Sequence, residues 1–277
     1  MFKTKRKLIL LDLDGTTLNS KGQITAKTKQ VLRKIANSGS IISILTGRPS
    51  RLANYYYQQL GLHGPMICFN GGTGLIPNQN WAGQYQITFD RKIAENIIRH
   101  RNELGINLIT VENNTQLMIN HPATEKMNRA TIGYFPSRVN HNQILGKNLL
   151  NFNPIYLTVQ AGNHRLNQVS QYVNSHFNGK IKAAQWGGPH NVCEISAVNA
   201  TKVNGIKQLA KYYHIDQNDT IAFGDQNNDR EVLSWVGHGV AMRNGLPEVK
   251  RAADDVTRFD NDHDGMARYL ENFFRLN

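Results

Sequence analysis

The chain reads as an α/β protein, a parallel sheet with crossover helices into which a second domain of α+β character is inserted. Three observations predict this. Near the beginning, short apolar runs alternate with helical stretches, and each run stops at a cluster of polar residues. From about Trp81 the texture changes to closely spaced strand-like pieces mixed with helices, and from Cys193 the first pattern resumes. Alternating strands and helices imply parallel pairing, because a parallel connection needs a crossover long enough to hold a helix. The expected boundaries are residues 1–82 with 192–277 for the sheet core and 83–191 for the insertion.

The opening run, Leu8 to Leu11, reads as a strand buried on both faces. It ends in Asp12-Leu13-Asp14-Gly15-Thr16-Thr17. Alternate side chains of an extended chain share a face, so Asp12 and Asp14 are expected in one pocket with Leu13 turned inward. Two such carboxylates are tolerated when a cation sits between them or one keeps a proton. Gln23 to Ser38 carries Val31, Leu32 and Ile35 at helical spacing, with Thr25 as a cap and Gly39 as a stop. Ser40 to Leu45 is a second strand, ending in Thr46-Gly47-Arg48-Pro49, and Pro49 is suited to the first position of a helix running to Leu60. A third run, Met66 to Phe69, ends in Asn70-Gly71-Gly72-Thr73. In parallel sheets ligands bind beyond the carboxyl ends of the strands, which would gather Asp12, Thr46 and Asn70 at one edge.

In the insertion, strand-like pieces fall at Gln84 to Phe89, Asn107 to Glu112, Gln116 to Asn120, Ile155 to Gln160 and Ile181 to Gln185. Asn113-Asn114 between two of them predicts an antiparallel hairpin. Helices are expected at Arg91 to Leu104, capped by Asp90, and at His164 to Phe177. The polar stretch from His121 to Leu150 carries no assignable pattern. After Cys193 comes a helix from Thr201 to Tyr213 with Lys202 in its first turn. A lysine there opposes the helix dipole, so an anionic neighbour is expected to compensate it. Thr220 to Phe223 is a core strand ending in Gly224-Asp225-Gln226-Asn227-Asn228-Asp229, followed by a helix with Val232, Leu233 and Trp235. A strand at Gly239 to Met242 leads into Arg243-Asn244-Gly245, and Gly265 to Phe274 closes the chain as an amphipathic helix.

At 277 residues, with 40% hydrophobic and 19% charged residues, the chain can bury a real core and has no disordered signature. No apolar run reaches the roughly 20 residues that span a bilayer. Lys3, Lys5, Arg6 and Lys7 before Leu8 imitate a signal peptide, but Asp12 breaks the apolar stretch too early, so a cytoplasmic location is expected. Two cysteines, Cys68 and Cys193, make neither a disulfide framework nor a zinc site. The net charge of +12 would attract anionic small molecules or nucleic acid. With no zinc-finger spacing, aromatic RNA-binding signature or long basic block, nucleic acid is not the expected partner.

Asp12, Asp14, Thr46, Asp225 and Asp229 at strand ends, with Lys202 at a helix start, form an oxygen-rich set suited to a hard cation, most simply Mg2+. A hydroxyl, a lysine and a divalent cation together suit a phosphoryl group, whose negative charge repels an attacking carboxylate until cations neutralise it.

These motifs resemble the haloacid dehalogenase-like superfamily, and within it the Cof-type phosphatases. Asp12-Leu13-Asp14-Gly15-Thr16 is similar to the first motif, Thr46-Gly47-Arg48 to the second, Lys202 to the third, and Gly224-Asp225 through Asn228-Asp229 to the fourth. Their order, and the insertion between the second and third, match the branch with a large cap domain there. Val240-Ala241-Met242 with Asn244, and Asn261-Asp262 to Gly265, also resemble that branch's ending.

The resemblance implies a Rossmann-like catalytic core and a Mg2+-dependent phosphatase acting on small phosphorylated metabolites, sugar phosphates or cofactor-related phosphates. It implies Asp12 as the nucleophile forming an aspartyl-phosphate, and Asp14 as the acid and base. Thr46, Gly47, Lys202, Asn70 and Asn228 would hold the phosphoryl group or order its loops, with Asn244 nearby. The metal would be held by the Asp12 carboxylate, the Asp14 backbone carbonyl and Asp225, with Asp229 in support. Two other functions fit the resemblance less closely: phosphoryl transfer as in phosphomannomutases, and non-catalytic anion or nucleic-acid binding on the same fold. Among departures from the pattern, Gln226 stands where glycine is usual, Thr17 replaces a common leucine, and Asn199-Ala200-Thr201 precedes Lys202. The cap is expected to close over the core, with His121, Arg129, Arg138, Trp186 and His190 as its polar and aromatic candidates.

Overall fold

The computed structural model of the chain describes residues 6–123, 131, 133–146, 150–162, 165–186 and 190–276. In chain order the first part holds β1 (Leu8–Leu11), α1 (Ala26–Asn37), β2 (Ile41–Leu45), α2 (Ser50–Leu60), β3 (Met66–Cys68), β4 (Thr73–Leu75) and β5 (Tyr85–Gln86). The middle holds α3 (Arg91–Arg99), β6 (Ile106–Glu112), β7 (Leu117–Ile119), β8 (Tyr156–Ala161), α4 (Leu166–His176), β9 (Ile181–Gln185) and β10 (Val192–Ala197). The last part holds α5 (Lys202–Tyr213), β11 (Thr220–Gly224), α6 (Asn227–Trp235), β12 (His238–Ala241), α7 (Pro247–Ala252), β13 (Asp255–Val256) and α8 (Gly265–Phe273). Two compact units result, Met1–Tyr85 with Thr201–Asn277, and Gln86–Ala200.

The first unit is α/β. Its sheet has the order β13-β12-β11-β1-β2-β3-β4-β5. All pairings from β13 to β3 are parallel, and β4 returns antiparallel to β3. β1 lies inside this sheet with Leu8 paired to both Ile41 and Thr220, and its four side chains are fully buried, which explains its unbroken aliphatic run. On one face Leu8, Leu10, Ala222 and Ala241 pack with Val203, Ile206 and Leu209 of α5 and with Val232 and Leu233 of α6. From β1 the chain moves outward through β2 and β3, and after the insertion it returns to β11 on the other side of β1. The strand order therefore reverses between β1 and β11, and a ligand crevice is expected at such a point.

The second unit is an antiparallel sheet of order β7-β6-β8-β10-β9. Ile109, Val111, Leu157, Val159, Cys193 and Ile195 alternate onto one face, where Ala94 and Ile97 of α3 and Val169 and Val173 of α4 cover them. The expected hairpin joins β6 to β7, and Asn113 Oδ1 accepts from the N–H groups of Thr115 and Gln116 to close its turn.

Several boundaries differ from the expectation. Val192–Ala197 pairs with β8 and β9, so this strand belongs to the second unit although the boundary at 192 placed it in the core. All six of its residues are buried, and only the pairing shows which sheet they join. Pro49 is the cap before α2 and not its first residue. The helix expected to reach Leu104 ends at Arg99, with Asp90 capping Lys92 N–H at 2.9 Å. Only Tyr85–Gln86 of the expected strand from Gln84 to Phe89 is paired. His164, the expected start of α4, lies outside the described residues. Both cysteines are free and buried, and burial pushes the Cys193 thiol up to about 12. Among the described residues no helix is long and apolar enough to cross a membrane.

Candidate active site

β1 and β11 run side by side, so the residues that follow them emerge together. Asp12 N–H still donates to Phe223 O, at 3.2 Å, which extends the pairing by one residue. The backbone then leaves the strand. Asp14 remains extended but Gly15 has φ 71°, a left-handed turn that glycine adopts without strain. A side chain at Gly15 would also collide with the Asp225 carboxylate, so the glycine is required twice over.

Asp12, Asp225 and Asp229 are buried, and one carboxylate oxygen from each lies within 4.8 Å of the others. Lys202, the first residue of α5 and equally buried, donates from Nζ to Asp12 Oδ1 and to Asp229 Oδ1, each at 2.7 Å. These two carboxylates are the anionic neighbours that its position at a helix start requires. Asp229 Oδ2 accepts from the N–H groups of Asp225 and Gln226 at 3.0 and 3.1 Å and so ties the β11–α6 turn together. Asp225 Oδ1 accepts from Thr16 Oγ1 at 3.0 Å and Oδ2 from Gln226 Nε2 at 3.1 Å.

Burial raises the Asp225 carboxyl to about 6, helped by the charge of Asp229 and opposed by Gln226, Thr16 and Lys202. Burial also holds Asp12 well above the usual carboxylate range, against the pull of Lys202 and with added push from Asp229, Asp225 and Asp14. Burial acts to lower Lys202, but its ion pairs with Asp12 and Asp229 outweigh it and hold the ammonium above its ordinary value. Three carboxylates facing one ammonium leave an excess of two negative charges when all are ionised. An oxygen-only donor set with that excess fits a hard divalent cation.

Asp14 is not one of the three clustered carboxylates, although its charge is near enough to raise Asp12, and the backbone turns directly after Asp12. The Asp14 side chain is 58% exposed, and both its oxygens accept from Arg48, at 2.7 Å from Nε and 2.6 Å from Nη2. The Arg48 guanidinium lies over the Tyr56 ring, 5.1 Å from its centroid. Thr46, buried at the end of β2, accepts Arg48 N–H on Oγ1 at 3.2 Å and Asn70 N–H on its carbonyl at 3.1 Å. Asn70, in the left-handed region, accepts from Asn228 Nδ2 at 3.0 Å, and a side chain at Gly47 would press on its amide. Asn244 Nδ2 holds the Gly15 carbonyl at 2.7 Å.

The structure thus joins Asp12, Asp225, Asp229 and Lys202 in one network, and Thr46, Gly47, Asn70 and Asn228 in another. Thr16, Arg48 and Gln226 were absent from the expected site residues. Arg48 lay inside the quoted Thr46-Gly47-Arg48 motif, but nothing in the sequence announces a partner 34 positions earlier. Among the candidates of the second unit, His121 and Arg138 are exposed, and Trp186 packs edge-on against Tyr134 at 4.7 Å and edge-on to His190 at 6.2 Å. Arg129 lies outside the described residues.

Comparison with known proteins shows the family to which the chain is similar. A family model described as haloacid dehalogenase-like hydrolase matches residues 9–270. A Bacillus subtilis protein named 5-amino-6-(5-phospho-D-ribitylamino)uracil phosphatase YitU is 28% identical over 277 residues, covering 99% of this chain and 100% of its own. Among solved structures, a haloacid dehalogenase-like hydrolase from Bacteroides thetaiotaomicron superposes with a TM-score of 0.82 at 23% identity, covering 98% and 100% of the two chains. A subclass IIB sugar phosphatase superposes with a TM-score of 0.75 at 21% identity, covering 97% and 99%.

Proposed function

The chain belongs to the haloacid dehalogenase-like hydrolases, and from that premise we propose that it is a Mg2+-dependent phosphatase of small phosphorylated metabolites working through an aspartyl-phosphate. One observation carries this reading: the buried network in which Lys202 bridges Asp12 and Asp229 while Asp229 fixes the loop of Asp225. The Asp12 and Asp225 carboxylates and the Asp14 backbone carbonyl would hold the cation, with Asp229 in support. Once bound, the cation neutralises phosphoryl charge and the excess negative charge of the carboxylates.

The chain's own groups supply the rest. An oxygen of Asp12 attacks phosphorus, a bond from Asp12 forms, and the bond to the leaving oxygen breaks. Asp14 gives that oxygen its proton and later takes one from the water that releases phosphate. For this it must let go of Arg48, which occupies both its oxygens at rest. Lys202 uses two of its three N–H bonds on carboxylates and has a third for a phosphoryl oxygen. The Thr46 hydroxyl accepts from Arg48 N–H and keeps its own hydrogen to donate.

The substrates proposed are sugar phosphates and cofactor-related phosphates. The relative named for a phosphoribitylamino-uracil makes that compound the first cofactor-related phosphate to try. The test is phosphate release from such a panel with and without Mg2+, for the intact protein and for Asp12→Asn. Magnesium-dependent release that Asp12→Asn reduces at least about a thousandfold supports the reading. Equal activity of Asp12→Asn overturns the nucleophile, and a phosphorylated product in place of free phosphate favours the transferase.

A further inference from the structure

Gln226 occupies the position between the two acidic residues of the β11–α6 turn, its backbone bonded to Asp229 and its side-chain amide to Asp225. As the N-cap of α6 it accepts the Asp229 N–H on its backbone carbonyl at 2.8 Å, while Asp229 returns the contact by accepting Gln226 N–H at 3.1 Å. Its Nε2 donates to Asp225 Oδ2 at 3.1 Å. A carboxylate only accepts, so the nitrogen end of the amide is the end that must face Asp225. On its other side Asp225 is held by Thr16 Oγ1 on Oδ1, and the Gly15 backbone packs against its carboxylate. The carboxylate is therefore gripped from both sides before any cation arrives.

We infer that Gln226 is a positioning residue for the cation site, fixing the Asp225 carboxylate in the orientation in which it binds a divalent metal. The inference rests on the reading of Asp12, Asp225 and Asp229 as that site. Glycine at this position could not make the side-chain contact, and alanine or serine is too short to reach Asp225 Oδ2. Partners that orient metal ligands typically change affinity by about ten- to a hundredfold when lost. Gln226 is exposed, so water can replace part of its donation, and the expected loss is at the lower end, about tenfold.

Its two roles, capping α6 and holding Asp225, separate in Gln226→Ser. Serine is a strong N-cap, and the backbone bond to Asp229 N–H does not depend on the side chain, yet serine loses the bond to Asp225. The experiment is Mg2+ titration by calorimetry on the intact chain without substrate, checked by Mn2+ binding in EPR, for the parent, Gln226→Ser, Gln226→Met and Asp225→Asn. Thermal unfolding in EDTA reports the stability of each metal-free protein. The expected result is a Kd for Mg2+ raised about tenfold in both Gln226 variants, with the metal-free Tm of Gln226→Ser at or above the parent value. A parent Kd in Gln226→Ser overturns the inference, since capping would then be all that Gln226 does. Mg2+ binding that is absent from the parent, or survives Asp225→Asn unchanged, overturns the cation site itself and the inference with it.

Discussion

Lys202 shows what a single residue does here. It is buried with Asp12 and Asp229 on its ammonium, and all three charges are out of water. Burying ions costs several kcal/mol each, repaid when geometry is close and the remaining lone pairs are used, as they are on Asp229. Removing one partner does not return the cost, because the others stay buried and uncompensated. Lys202→Met is therefore expected to lower metal-free stability by about 3–5 kcal/mol in urea unfolding at neutral pH, and to abolish turnover. A loss under about 1 kcal/mol would show that water reaches the cluster and that the ion pairs matter little. The lysine was legible in the sequence as a charge at the wrong end of a helix. Asp14 was legible as a carboxylate at the strand end but its pairing with Arg48 was not, since strand alternation stops wherever the strand does and the backbone turns after Asp12.

At the scale of elements, the helix start that carries Lys202 is built from local signals. Thr201 is extended and its Oγ1 accepts Asn204 N–H at 3.1 Å, while its carbonyl lies against Gly71, whose φ of 98° and lack of a side chain allow the approach. Thr201→Ala should cost about 1 kcal/mol for the lost cap. Because the next residue is Lys202, fraying of that turn should also lower kcat several-fold, with thermal unfolding and steady-state kinetics as the two readouts. Unchanged kcat beside the stability loss would show that the ion pairs alone hold the lysine. Strands buried on both faces, such as β1, β2 and β11, announce themselves as aliphatic runs ended by polar turns, and so both strand ends bearing the acidic clusters could be found. Short elements could not. β4 and β13 have three and two residues, and α7 has six, too few for a period to show. The boundary at 192 put β10 in the core unit, because long-range pairing leaves no local trace.

Across the whole molecule two opposite fields coexist. The chain carries +12 and draws anions from a distance, while three carboxylates against one lysine make the floor of the site negative. That local excess must be removed by protons or by a cation before a phosphoryl group can settle there, and the choice between them is written into stability. Asp225 titrates near 3.8 when unfolded and at about 6 when folded, and Asp12 is raised as well. Between those values the folded state binds more protons than the unfolded one, so these groups make the metal-free protein less stable as pH rises from about 4 through about 6. Lys202 adds no slope in this window, since it stays charged throughout. A cation that binds the ionised carboxylates stabilises by RT ln(1 + [L]/Kd), and its effect grows over the window in which the protons leave. Thermal unfolding in EDTA should therefore show Tm falling from pH 4 to pH 7 more steeply in the parent than in Asp225→Asn. Excess Mg2+ should raise the parent Tm little at pH 4.5 and by several degrees at pH 7.5. Equal Mg2+ shifts at the two pH values would mean that protons and cation do not compete for the same oxygens. The Asp12, Asp225 and Asp229 cluster would then owe its negative charge to something other than metal binding.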